Sequence, residues 1–207
     1  MTVQRTRLPA EERRAAVLEA ASGIFARSTY RGTTTAEIAK QAGVTEPVLY
    51  RHFASKRDLY LACLEEAWLD TRELWDRAIA DESDPALWVT SMGKAYLATK
   101  DRRGQLAHLW LQSLTEVSDD PEIRKFLRRQ LMAVHRYVAD VMRRSQEAGG
   151  ILPARDPEVE AWVFISLGLL GTVGRRLGGV VGDDFPRIMA ARREWMTGVP
   201  PSPPRED

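Results

Sequence analysis

The side chains best suited to chemistry are concentrated between Thr34 and Lys56. Tyr50, Arg51 and His52 follow one another there, and the Lys56 ammonium group lies four positions further on. A phenol, a guanidinium, an imidazole and an ammonium group can all donate hydrogen bonds to phosphate oxygens. The same groups can also reach the edges of bases, so this stretch predicts contact with a nucleic acid.

Residues suited to metal binding or covalent chemistry are few and far apart. His108 and His135 lie on different predicted helices, and the sequence has no HxH, HExxH or CxxC spacing. Because a metal site needs three or four ligands of fitting geometry, we expect no metal. Cys63 is the single cysteine and is predicted to be a small core residue. The sequence also lacks a glycine-rich phosphate loop and a nucleophile elbow, so we expect no enzymatic activity and no cofactor.

Two short predicted helices and a tight turn position the candidate side chains. The residues Thr34–Glu37 have the pattern of a capping box, which predicts a helix over Thr35–Ala42. Gly43–Thr45 predicts the turn, and its last residue is the predicted N-cap of a second helix, Glu46–Phe53. Two short helices joined by a glycine-containing turn of about 3–4 residues are the signature of a helix-turn-helix.

A helical wheel separates the faces of the second helix. Leu49 and Phe53 point into the core, whereas the positions farthest from them point outward to meet base edges. The positions on either side of the core face are placed to meet phosphates, with packing inside a small three-helix domain as the alternative. The outward positions are Pro47, Val48 and Arg51, and the flanking positions are Tyr50 and His52.

The charge distribution supports an anionic partner at this end of the chain. The net charge of the 207 residues is only +1, but residues 1–56 carry nine Lys or Arg against five Asp or Glu. Lys56 and Arg57 stand at the start of the helix that Ser55 caps, where positive side chains oppose the helix dipole. The basic segment Met1–Leu8 is either a frayed terminus or an arm that reaches phosphates or the minor groove.

The rest of the sequence predicts an all-α fold. Hydrophobic residues make up 44% and charged residues 29%, which is typical of a soluble globular protein. No apolar run approaches 18 residues and the N-terminus has no apolar segment, so we expect a cytoplasmic protein without a membrane span. Asp-Pro pairs supply an N-cap and a following proline for three of the helices. The predicted helices are Pro9–Ser28, Thr35–Ala42, Glu46–Phe53, Ser55–Ile79, Pro85–Thr99, Gly104–Glu116, Pro121–Glu147, Pro157–Gly178 and Phe185–Met196.

Four glycines recur along the predicted helix Pro157–Gly178. Gly168, Gly171, Gly174 and Gly178 project within an arc of about 120°. Each glycine inside a helix costs roughly 1 kcal/mol relative to alanine, so a close backbone approach would compensate for the stripe. The alternative is that the helix breaks near Gly171.

Residues 13–60 resemble the DNA-binding domain of TetR-family transcriptional regulators. The matching features have fixed spacing and are Thr34–Thr35, Ile38–Ala39, Ala42–Gly43–Val44, Leu49–Tyr50, His52–Phe53, Lys56 and Leu59. The resemblance implies that Glu46–Phe53 is a recognition helix in the major groove, flanked by residues that hold phosphates. The DNA-binding residues that it implies are Thr34, Thr35, Thr45, Glu46, Pro47, Val48, Tyr50, Arg51, His52 and Lys56.

Three positions depart from the family's pattern or add little to it. Val48 stands where the family often has a small or hydroxylated residue, and valine can meet only a thymine methyl group. Ala36 has no side chain that reaches a base. Glu46 can accept a hydrogen bond from cytosine N4, but its charge repels the phosphate backbone.

The C-terminal region matches the family in plan only. The resemblance implies a DNA-binding domain over 1–56 and a six-helix ligand-binding and dimerisation domain over 57–198. The tail over 199–207 is rich in proline, which predicts disorder. The resemblance also implies a homodimer formed by the last two helices, which favours the glycine stripe as the interface, and a largely apolar small-molecule effector. The candidate lining residues are Trp88, Met92, Tyr96, His108, Trp110, Gln112, Gln130 and Trp162.

The sequence thus predicts a repressor that a small molecule releases from a double-stranded DNA operator. Two other classes stay open. One is a DNA-binding activator or constitutive regulator without an effector. The other is a helical interaction protein or enzyme whose DNA-binding head is vestigial.

Overall fold

The computed structural model describes residues 9–98, 109–114 and 120–200 of the chain. These residues form helices joined by turns and contain no strand, which confirms the predicted all-α fold. Their helices are α1 (Ala10–Arg27), α2 (Thr35–Gln41), α3 (Glu46–His52), α4 (Lys56–Ala80), α5 (Trp88–Ala98), α6 (residues 109–114), α7 (Pro121–Glu147), α8 (Pro157–Arg176) and α9 (Phe185–Thr197). None of these helices has both the length and the apolar character needed to cross a membrane.

The Asp-Pro pairs act as predicted at two helices and differently at the third. Asp156 accepts a hydrogen bond from the backbone of Glu158, and Asp120 accepts one from Glu122, each at 2.9 Å. Asp84 caps in the same way, but the residues after it form the 3₁₀ turn Pro85–Leu87. The predicted start of the fifth helix at Pro85 is therefore wrong, because i to i+3 bonding occupies the first turn and α5 begins three residues later.

Contacts divide the chain into two compact units. The first contains the described residues of Met1–Leu69 and Lys100–Leu127, and the second contains those of Asp70–Thr99 and Arg128–Asp207. The first unit is built on an apolar core that joins α1, α2, α3 and the first part of α4 to α6 and the start of α7. Cys63 lies fully buried in this core, as predicted.

The second unit contains a cluster of aromatic rings around Trp75. The Trp75 ring stacks on Tyr137 at 5.8 Å between centroids and meets Phe164 edge-on at 5.7 Å. Tyr96 from α5 lies 6.3 Å from the same ring. The Tyr137 hydroxyl donates to Asp76 at 2.6 Å, and burial together with this carboxylate raises the pKa of Tyr137 well above its ordinary value. The rings come from α4, α5, α7 and α8, and α5 packs on α8.

The glycines of α8 pack against residues of their own chain. A methyl group on Gly171 would lie 2.8 Å from Leu97 Cδ2, and one on Gly174 would overlap Val181. α8 continues past Gly171 to Arg176, so the alternative of a break at that glycine is wrong. Gly178 lies beyond the helix, where its positive φ of 75° suits a residue without a Cβ. The close approach that compensates for Gly171 and Gly174 is therefore present within a single protomer.

Candidate nucleic-acid interface

The helix-turn-helix forms as predicted and holds α3 by a buried side. Thr34 caps α2 by accepting the backbone N–H of Glu37 at 3.2 Å. Gly43 takes a φ of +67° in the turn, a conformation that favours glycine. Thr45 stands at the N-cap position of α3, as predicted, although its hydroxyl makes no capping hydrogen bond. The α3 helix has only seven residues and depends on its packing with α1 and α2.

The wheel assigned the two sides of α3 correctly. Leu49 is 0% exposed, and Phe53 is also buried in the core of the first unit. On the other side, Pro47 and Arg51 are exposed and Val48 is partly buried. Because a helix anchored along one side presents the opposite side to solvent, α3 offers an outward surface to a partner.

The flanking position Tyr50 belongs to a hydrogen-bond network that connects α2 and α3. Tyr50 is 46% exposed, and its hydroxyl lies 3.0 Å from Thr35 Oγ1. The Thr35 hydroxyl donates to Glu46 Oε1 at 2.6 Å. These three residues were predicted as separate DNA contacts, and sequence reasoning missed the link between them. The only signal was that Glu46 and Tyr50 are one helical turn apart, while Thr35 lies eleven positions before Glu46.

Lys56 lies at the start of α4, beside aromatic rings. Its Nζ is 4.6 Å from the centroid of the Tyr30 ring, which in turn lies 4.9 Å from Tyr60. Ser55 accepts the backbone N–H of Asp58 at 3.1 Å, so it caps α4 as predicted. The Tyr30 face attracts the ammonium group and holds the stem of Lys56 beside the N-terminus of α4.

The described candidate ligand contacts belong to two different units of the chain. Trp110 packs against the core of the first unit, and Gln112 Nε2 donates to the Ser28 carbonyl at 2.9 Å in the same unit. His108 lies outside the described residues. The candidates in the second unit are Trp88, Met92, Tyr96, Gln130 and Trp162.

The candidates of the second unit differ in what surrounds them. Met92 is fully buried in α5, and Tyr96 borders the aromatic cluster around Trp75. Trp88 Nε1 donates to the Glu82 carbonyl at 3.0 Å. Trp162 is 40% exposed and stacks on His135 with 4.2 Å between ring centroids.

α3 follows a glycine turn, packs one side against α1 and α2 and exposes its opposite side to solvent. This arrangement is that of the helix-turn-helix DNA-binding proteins. Residues 17–63 match the family model described as bacterial regulatory proteins, tetR family. Residues 85–168 match the model of the BetI-type transcriptional repressor C-terminal region. The regulator TtgR of Pseudomonas putida is 30% identical over 215 residues, covering 93% of this chain and 100% of TtgR. The chain therefore belongs to the tetR family of bacterial transcriptional regulators.

Other similar proteins cover the chain to different extents. The transcriptional activator FasR of Mycolicibacterium smegmatis is 52% identical over 59 residues, which span 28% of this chain and 27% of FasR. A regulator from Rhodococcus sp. has the same fold, with a TM-score of 0.80 and 20% identity over 90% of this chain and 99% of that one. AibR, solved with isovaleryl coenzyme A and operator DNA, has a TM-score of 0.59 and 21% identity over 76% of this chain and 84% of AibR.

Proposed function

We propose that this regulator is a repressor that binds a near-palindromic operator as a homodimer and is released by a small molecule. The observation that carries the DNA-binding part is the outward surface of α3, which rests on the buried Leu49 and Phe53. The match of residues 85–168 to a repressor's C-terminal region supports the sign of regulation. The similarity to FasR covers only 59 residues, 28% of this chain, so it does not bear on that sign. The protein acts in the cytoplasm, without catalytic activity or a cofactor.

The proposed DNA-binding domain covers residues 1–56, and the ligand-binding and dimerisation domain covers 57–198. Within the first domain, α3 enters the major groove. Base readout falls to the outward residues Thr45, Pro47, Val48 and Arg51. The proposed phosphate contacts are Thr34, Thr35, Tyr50, His52 and Lys56. Polar and basic side chains at both edges of α3 fix the helix in register on the duplex, because phosphate contacts orient a protein without reading sequence.

Lys56→Ala is expected to weaken DNA binding by about tenfold at every sequence, as loss of a charged group at a phosphate does. Genomic fragments bound by the wild-type protein first supply the operator. The plot of log affinity against log salt concentration should then flatten by about 0.9 for each phosphate that the variant no longer neutralises. Lys94→Ala removes the same charge from an exposed position on α5 and should leave the slope unchanged. An unchanged slope for Lys56→Ala would remove this lysine from the phosphate contacts.

The proposed dimer is supported by exposed apolar side chains at the C-terminal end of α8 and in the residues that follow it. Val173 is 41% exposed, and Leu177 and Val180, which follow along the chain, are each 68% exposed. Exposed apolar side chains in a contiguous patch mark interaction surfaces. The inward packing of Gly171 and Gly174 leaves these larger side chains, rather than the glycines, to meet a partner protomer.

Sedimentation tests the dimer directly. The wild-type protein is expected to sediment as a dimer at micromolar concentration. Val173→Glu combined with Leu177→Glu should give a folded monomer. Dimerisation would bury two carboxylates of each protomer in the interface without a positive charge to pair with them. Leu69→Glu changes an exposed leucine of α4 in the same way and should remain dimeric. A wild-type monomer would contradict the proposal.

The proposed effector is a small and largely apolar molecule that binds among the helices of the second unit. AibR was solved with isovaleryl coenzyme A, and a regulator from Saccharomonospora viridis, 24% identical to this chain, with choline. Because these two bound molecules differ in size and charge, the proposal for this chain rests on its own side chains. In this chain Trp75, Tyr96, Tyr137 and Phe164 provide an apolar, aromatic environment. Release from DNA requires the effector to bind more tightly to the DNA-free conformation.

A further inference from the structure

The network between α2 and α3 fixes the direction in which two hydroxyl groups donate. Thr35 stands at the first position of α2, and Glu46 and Tyr50 lie one turn apart on the same side of α3. Thr35 Oγ1 is 2.6 Å from Glu46 Oε1 and 3.0 Å from the Tyr50 hydroxyl. The shorter distance is that of a hydrogen bond to a charged acceptor.

A count of protons settles the direction of each bond. A threonine hydroxyl has one proton, and an ionised carboxylate can only accept. Because the Thr35 proton is directed at Glu46, the remaining lone pairs of Thr35 Oγ1 can only accept, so Tyr50 must donate to Thr35. In the Tyr50–Thr35–Glu46 chain, Tyr50 therefore donates to the Thr35 hydroxyl, and Thr35 donates to the Glu46 carboxylate.

A phosphate on this surface needs the same two protons. Thr35 and Tyr50 are both assigned to phosphates in the proposed function, on which this step rests. To donate to a phosphate oxygen, Thr35 must turn away from Glu46 and Tyr50 must turn away from Thr35. The phosphate must also approach the Glu46 carboxylate, which is a second anion. In the free protein, the Glu46 carboxylate thus accepts the Thr35 hydrogen bond that a DNA phosphate accepts in the complex.

We infer that Glu46 is a positioning residue that holds the phosphate-binding hydroxyls of Thr35 and Tyr50 in the free protein and competes with DNA for them. Its role differs from base reading, which would engage the carboxylate with cytosine N4 in the groove. Competition for hydroxyls weakens binding to every duplex equally, because phosphates are the same at every sequence. If Glu46 instead read a base, it would change the affinity only for duplexes with cytosine at one position.

Glu46→Gln in the full-length protein separates these two roles. Glutamine has the same shape and keeps an oxygen that accepts from Thr35, but a neutral acceptor binds about half as strongly and does not repel phosphate. The variant is expected to bind the selected operator, single-base-pair variants of it and a random-sequence duplex all about fivefold more tightly. Its affinity should also fall more steeply with salt.

A second variant tests the link to Thr35. Thr35→Val should cost about threefold more affinity in the Glu46→Gln protein than in the wild type, because the neutral glutamine competes less strongly with DNA for the Thr35 hydroxyl. A purely structural role of Glu46 would leave the two losses equal. Thermal unfolding of each variant checks that it is folded.

Glu37→Gln provides the matched control. Glu37 is an exposed carboxylate on α2, and its removal changes the net charge by the same amount. Its effect on affinity should stay within about twofold, as for a screened surface charge. Equal effects of Glu37→Gln and Glu46→Gln, a change confined to duplexes with one cytosine, or weaker binding by Glu46→Gln would each overturn the inference. If the wild-type protein bound none of the duplexes, the proposed function would fail and this inference with it.

Discussion

Leu49→Ala is expected to lower the free energy of unfolding by about 2–5 kcal/mol, as for other buried leucines. Leu49 is 0% exposed and lies in one apolar cluster with Val17, Phe25 and Ile38. A helix as short as α3 has little stability of its own, so its position depends on this side chain. Removing the γ-carbon and the two δ-methyl groups of Leu49 would leave a cavity between α1, α2 and α3.

Urea unfolding at a fixed protomer concentration measures this effect. Val48→Ala provides the control, because Val48 is the neighbouring residue on the same helix and is only partly buried. It should cost less than about 1 kcal/mol, as most substitutions outside the core do. Similar losses in the two variants would show that α3 is not anchored through Leu49.

Local signals in the sequence predicted much of the fold. Thr34, Asp120 and Asp156 cap helices within three residues of themselves, so short patterns were enough to find these starts. The buried positions of α3 followed from the helical period alone. The predicted start of α5 is wrong because Asp84 caps a 3₁₀ turn with the same local pattern as an α-helix.

The candidate sites were harder to predict because they depend on contacts between distant residues. Residue type favours Gln112 as a ligand contact, but its amide donates to the Ser28 carbonyl 84 positions away. The sequence indicates Thr35 and Glu46 as separate DNA contacts, although one donates to the other. Residue type and spacing within one helix contain no information on such pairings, which arise only when the helices pack.

Glu160 and Arg192 form another pairing between distant residues, and its loss is expected to be costly. Glu160 lies buried in the first turn of α8 and forms an ion pair with Arg192 of α9. It also accepts a hydrogen bond from Trp195 Nε1 at 3.1 Å. Burial lowers the pKa of Arg192, and the nearby guanidinium of Arg155 lowers it further, so this arginine depends on Glu160 to offset its desolvation.

Glu160→Ala should therefore lower the free energy of unfolding by about 3–5 kcal/mol, because it leaves Arg192, whose side chain is only 16% exposed, without its counter-charge. Urea unfolding again provides the measurement. Glu158→Ala is the matched control in the same helical turn. Glu158 pairs with Arg143 at 2.8 Å but is exposed, so its loss should cost about 0–1 kcal/mol.

A double substitution distinguishes the charge of Glu160 from its packing. Glu160→Leu with Arg192→Met removes both ions and keeps apolar volume between α8 and α9. Because neither group then needs desolvation, the double variant should recover most of the stability lost in Glu160→Ala. If the double variant is as unstable as the single one, the hydrogen bond to Trp195 and the local packing stabilise this helix pair, and the ion pair contributes little.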